Sequence, residues 1–176
     1  MIIRYPTGTV ISGKNEVQKA NVGDGYVHGI ELQTGYDLTP DWRAFGGLAW
    51  QEGYADTYPT AAKIRKREPM SRIAPLTSLL GLRYEPQEKD YWIEATARMA
   101  AKQDKLPTSD KADTDRIPPG GTPGYAVYGI RGGVNLTKNI TLSAGVENIT
   151  DVDYRIHGSG QNEPGTNFVL GLNAKF

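Results

Sequence analysis

The feature that most constrains this chain is a two-residue alternation of apolar and polar side chains, recurring in segments of about ten residues. Between 140 and 146, Ile140, Leu142, Ala144 and Val146 fall on one side, Thr141, Ser143 and Gly145 on the other, and Glu147 continues the polar side. In the last segment Phe168, Leu170, Leu172, Ala174 and Phe176 share a face, opposite Asn167, Val169, Gly171, Asn173 and Lys175. A period of two is that of an extended strand with unlike faces, and helical periodicity is almost missing. The same pattern runs through 91–99 and 125–135, and less cleanly through 26–37, 42–51 and 76–85. This predicts seven antiparallel strands, with 1–5 as a candidate truncated eighth.

The connections add an asymmetry. Those at 38–41, 85–90 and 136–139 are short and turn-like, whereas 55–72, 103–123 and 151–165 are long and polar. Because short and long alternate, every short turn falls at one end of the sheet and every long loop at the other. Strands of about ten residues with this arrangement are those of a transmembrane β-barrel. The fold class expected is therefore all-β: an antiparallel up-and-down meander of about seven or eight strands, part of a transmembrane barrel with short periplasmic turns and long extracellular loops. Aromatic residues support it. Tyr36, Trp42, Tyr84, Tyr91 and Phe176 lie near the short turns, and Tyr26, Trp50, Tyr54 and Tyr125 lie nearer the long loops. Two such girdles suit rings that are apolar at one end and hydrogen-bonding at the other. Glycines inside the strand patterns, such as Gly81, Gly129 and Gly145, mark bends or close packing.

Composition then removes whole classes of function. The 20 Lys+Arg balance 20 Asp+Glu, which argues against a nucleic-acid partner. Cysteine is absent, so disulfides, thiolate metal sites and cysteine nucleophiles are excluded. No run approaches the roughly 20 apolar residues of a spanning helix. A mean hydropathy of −0.50 is no obstacle to a barrel, whose lumen and loops are polar. The first residues, Met1-Ile2-Ile3-Arg4-Tyr5-Pro6, do not have the build of a secretory signal, which favours a piece of a longer protein.

The stretch Val146-Glu147-Asn148-Ile149-Thr150-Asp151-Val152-Asp153-Tyr154, followed by Pro164-Gly165-Thr166-Asn167-Phe168 and a terminal Phe176, resembles the end of a TonB-dependent outer-membrane receptor. The segment 21–31, with Asn21, Gly23, Gly29 and Glu31, is similar to another strand of that family. Ile149 stands where the family usually has Leu, and Thr166 where Arg is usual. The resemblance implies one domain over 1–176, the C-terminal third of a receptor barrel whose plug domain and earlier strands are absent from this chain. It further implies outer-membrane uptake of a scarce chelated nutrient, most often a ferric siderophore, driven by the TonB complex acting through that plug, with no cofactor and no enzymatic activity. The other implied partners are the barrel-assembly machinery, outer-membrane lipid and lipopolysaccharide. Phe168, Leu170, Leu172 and Phe176 resemble the assembly signal. Two alternatives stay open: a complete eight-stranded barrel with an anchoring or adhesive role, and a soluble lipocalin-like carrier with the apolar face inside.

Loop residues are the candidates for ligand contact. The basic run 63–67 supplies Arg65 and Arg67, and the later loops supply Arg116, Arg155 and His157. Guanidinium groups suit carboxylate or catecholate oxygens of an anionic chelate, and equally suit lipopolysaccharide phosphates. Asp151, Asp153, His157 and Glu163 are metal-ligating types without a metal-site spacing, so they are read as solvated loop charges. His157 and Ser159 are too close along one loop for a hydrolase triad, and the Gly-Ser-Gly stretch is read as a tight turn.

Overall fold

The computed structural model describes residues 1–175; Phe176 lies outside the described residues. Ten strands form: β1 (Ile3–Ile11), β2 (Lys14–Ala20), β3 (Gly25–Asp37), β4 (Trp42–Thr57), β5 (Lys66–Pro69), β6 (Thr77–Tyr84), β7 (Tyr91–Ala100), β8 (Tyr125–Asn135), β9 (Ile140–Glu147) and β10 (Asn167–Ala174). One helical turn, α1 (Thr108–Ala112), interrupts the second long loop. The main sheet is an antiparallel meander in the order β10-β9-β8-β7-β6-β4-β3, with β5 added to the far end of β4. Its two edges, β3 and β10, do not pair with each other, so the described sheet is open.

Register fixes which side chains share a face. Tyr36, Ala44, Leu82, Ala95, Ile130, Val146 and Phe168 stand opposite one another strand by strand, forming one apolar row across the main sheet. A second row holds Trp42, Tyr84, Ile93, Gly132, Ala144 and Leu170. This face is unburied: Phe168, Leu170 and Leu172 are 77%, 81% and 71% exposed. So large an apolar surface on a folded chain requires an apolar surrounding. The aromatic band near the short turns is continuous on this face, with Trp42 and Tyr84 rings 4.9 Å apart and Tyr84 and Tyr91 rings 6.0 Å apart.

The opposite face carries the charges. Asp37, Arg43, Arg83, Glu94, Arg131, Gly145 and Val169 form the matching row. Glu94, only 4% exposed, accepts from Arg131 at 2.6 Å and lies 3.5 Å from Arg83. The Arg83 guanidinium also covers the Trp92 ring at 4.2 Å.

Three features differ from the sequence expectation. The first segment forms a hairpin, β1 with β2, in a separate two-stranded sheet. It turns at Ser12-Gly13, both with positive φ. The strand expected over 42–51 continues to Thr57, with β5 folded back on it, so part of the first long loop is sheet. Tyr125 belongs to the charged face and packs on Tyr154, ring centroids 4.4 Å apart, rather than joining the outer girdle.

Candidate functional site

At the end of the sheet away from the short turns, the three long loops condense into one cap. Its apolar centre is small, with Ile117 and Leu106 buried. Polar contacts do most of the fastening. Gln103 and Thr122 form a two-residue bridge, and Gln103 Nε2 donates to the Ile73 carbonyl at 2.8 Å. Helical turn α1 places Asp110, 3% exposed, where its carboxylate accepts from Ser71 Oγ at 2.5 Å and the Arg72 amide at 2.9 Å. A carboxylate removed from water is tolerable only with such donors around it.

Arg72 joins the three loops. Its φ of 58° turns the amide toward Asp110, while its guanidinium pairs with Asp113 at 2.7 Å and donates to the Gly158 carbonyl at 3.3 Å. Arg116 shares Asp113 at 3.2 Å. His157 Nδ1 lies 2.8 Å from Thr122 Oγ1. Burial pushes the imidazole below its ordinary value; Asp110 opposes that shift and Arg72 adds to it.

The third loop is tied down at its base. Asn148, buried and at φ 49°, donates to the carbonyls of Val152 and Pro164 and accepts from the Val152 amide. Asp151 accepts from the Thr166 amide at 2.9 Å. Beneath this loop a cleft of about 230 Å3 opens toward Arg98, Glu147, Tyr154 and Glu163.

The candidate residues thus separate into three places. Arg116 and His157 belong to the cap around Arg72. Arg155 donates to Asn162 at 2.9 Å, elsewhere on its own loop. Arg65 and Arg67 both pair with Asp56, at 2.7 and 3.3 Å, on the edge formed by β4 and β5. Arg67 also sits 5.2 Å above the Tyr26 ring, on the apolar side of the sheet. Asp153 accepts from Asn162, and Ser159 donates to the Gln161 carbonyl, so neither is directed at His157. Among the described residues no group of three or more His, Asp or Glu side chains could hold a metal ion. The joint of Arg72, Asp110 and Asp113 carries no sequence signal, because loop residues about 40 positions apart meet there without any periodicity.

Comparison with known proteins agrees with this architecture. A family described as "TonB dependent receptor-like, beta-barrel" matches residues 1–149. No curated protein matches. Among solved structures, the copper transporter OprC is 25% identical with a TM-score of 0.73, over 99% of this chain and 26% of its own. The ferric enterobactin receptor PfeA of Pseudomonas aeruginosa is 20% identical with a TM-score of 0.69, over 100% of this chain and 27% of its own. The ferric-catecholate import receptor Fiu of E. coli, in its closed form, is 22% identical with a TM-score of 0.64, over 99% of this chain and 23% of its own. The chain spans about a quarter of the length of these structures.

Proposed function

Because the chain belongs to the TonB-dependent receptor-like β-barrel family, we propose that it supplies the C-terminal wall and part of the mouth of an outer-membrane receptor that imports a scarce chelated nutrient. A ferric siderophore is the favoured cargo, and TonB, acting on a plug outside this chain, is the energy source. The observation carrying this reading is the cap: three loops gathered at one end of an open, outward-apolar sheet, in the fold of receptors named for ferric enterobactin and ferric catecholate. The guanidinium groups of such a mouth offer charge-assisted donors to the oxygens of an anionic chelate, and the neutral imidazole of His157 a further polar contact. Arg116, Arg155 and His157 are the side chains assigned to that contact. Strand β10, with Phe168, Leu170 and Leu172 exposed, would present the assembly signal; the terminal Phe176 of that signal lies outside the described residues.

The test uses cells whose only receptor for a ferric catecholate carries this chain. Replacing Arg116, Arg155 and His157 together by Ala should lower uptake of labelled iron at limiting chelate by about tenfold, the effect of losing about 1.4 kcal/mol of contact. Unchanged uptake removes these side chains from the ligand site. Uptake that persists without TonB removes the energised mechanism.

A further inference from the structure

Charged side chains on the polar face of the sheet find partners within the chain: Arg43 pairs with Asp37, and Arg83 and Arg131 with Glu94. Arg98, Glu147 and Glu163 differ. All three line the cleft of about 230 Å3 beneath the third long loop, yet among the described residues none of them enters an ion pair.

Register brings them together. Arg98 stands opposite Leu79 on one side and Val127 on the other, close to the loop end of β7. Glu147 is the last residue of β9, at the same end of the sheet. Between them lies Gly129, where a Cβ would stand 3.3 Å from Thr96 Oγ1 and 3.8 Å from Glu147 Cα, so a glycine keeps the floor of the cleft open. Tyr154 and Glu163 form the roof, fastened to each other by the Glu163 amide, which donates to the Tyr154 carbonyl at 2.9 Å. Burial, and then the Glu163 carboxylate, hold the Tyr154 phenol above its ordinary value, so it stays a neutral hydroxyl.

The charges of the cleft select its ligand. One guanidinium and two carboxylates leave a net negative charge, so a purely anionic group meets one attractive partner and two repulsive ones. A purely cationic group leaves the guanidinium opposed to it. A zwitterion satisfies all three: its carboxylate lies in the fork of Arg98, its ammonium lies between Glu147 and Glu163, and the Tyr154 hydroxyl adds a donor. Size limits the ligand further. Whole small-molecule sites take about 300–1,000 Å3, so this cleft holds an arm of a ligand rather than all of it. Arg98 and Leu79 also border a hollow of about 520 Å3 that passes Glu31, Gln33 and Phe45, which has room for the body.

We infer that the cleft between Arg98, Glu147 and Glu163 is a subsite for an α-amino-acid arm of the imported chelate. The inference rests on the reading of this chain as part of a receptor mouth, and it narrows the cargo to chelates with a free ammonium and a free carboxylate on one arm.

The receptor that carries this chain, in neutral detergent, is equilibrated with the gallium(III) tris-complex of dihydroxyphenylalanine and with the complexes of its N-acetyl and carboxamide derivatives, and bound gallium is counted. The unblocked complex should bind about tenfold more tightly than either blocked one. Arg98→Ala should erase the preference over the carboxamide and keep that over the N-acetyl form, and Glu147→Gln with Glu163→Gln should do the reverse. The comparison of blocked and unblocked forms on the native receptor needs no variant, so it decides even where a variant fails to fold. Equal binding of the three complexes overturns the subsite, as does a preference that both variants leave intact. If no complex binds, saturation-transfer NMR with the metal-free amino acid and its two derivatives separates the readings. Selective transfer to the unblocked amino acid keeps the subsite and removes the chelate, whereas equal transfer to all three overturns the subsite.

Discussion

Asn148 ties down the base of the third long loop through three hydrogen bonds of its side chain. Its left-handed backbone allows its amide group to bridge Val152 and Pro164, closing the base of the nineteen-residue excursion between β9 and β10. Thr166 completes the closure, its hydroxyl donating to the Asn148 carbonyl at 3.0 Å and its amide to Asp151. Replacing Asn148 by Ala leaves a buried amide and two carbonyls short of partners, a loss of about 2 kcal/mol. The melting temperature in detergent should drop accordingly, and Asn148→Asp, which keeps the acceptor for Val152, should cost less. His157 gives the cap a pH dependence of fixed sign. Its folded value is held below the ordinary imidazole value by burial, so its contribution is fully present above about pH 6.5 and is lost as pH falls through the folded value. Melting temperatures followed from pH 7.5 down to 5 should therefore fall more steeply for the native chain than for His157→Gln. An equal slope in both would remove His157 from the linkage.

Strands β6, β7 and β8 are coupled on their charged face through Glu94. Its carboxylate is buried between Arg83 and Arg131, and the Arg131 side chain remains 62% exposed. Because Arg131 can return to water when Glu94 is removed, Glu94→Ala should destabilise the barrel wall by about 1–2 kcal/mol, below the 3–5 of a fully buried pair. A denaturant titration in detergent checks this, and Arg131→Ala should cost less than Glu94→Ala. Glycine supports the same layer by leaving room for rings. Gly81 faces Phe45 and Gly133 faces Trp92 in register, and a Cβ on Gly133 would approach Trp92 Nε1 to 2.6 Å. Elements of this kind were legible in the sequence where one face is apolar and the other polar, as in β7, β8, β9 and β10. The alternation that defines β4 stops at Gln51 in the sequence because Glu52 and Asp56 interrupt the apolar series. Both carboxylates are paired in the structure, Glu52 with Lys105 at 2.7 Å and Asp56 with Arg65 and Arg67, which makes charge tolerable at that end of the strand. The hairpin of β1 and β2 leaves no signal in the sequence because Lys14, Asn15, Glu16, Gln18 and Lys19 show no apolar face. For the candidate site, sequence reading found the cationic side chains but not their sorting. That depends on register for Arg65 and Arg67, and on contacts between distant loops for Arg116 and His157.

At the scale of the whole molecule, the direction in which the apolar face points decides what the chain is. Alternation alone fits a lipid-facing barrel wall and an inward-facing soluble carrier equally well. Membership of the TonB-dependent receptor-like β-barrel family favours the lipid-facing wall. Among the described residues no second layer covers the rows through Ile130 and Leu170, and Leu80, Leu82, Ile93 and Tyr128 are all left exposed. Edges β3 and β10 add unpaired backbone donors and acceptors to that surface, which in lipid must be satisfied by further strands. In water the same edges and rows would meet their like on other copies. Refolded into detergent micelles, the chain should therefore run as a discrete species with strand-rich circular dichroism. Dilution of the detergent below its critical concentration should drive it into large aggregates, read by light scattering. A chain that stayed monomeric without detergent would have buried its apolar rows against itself. That result would reverse the assignment of inside and outside on which the girdles and the polar lumen both depend.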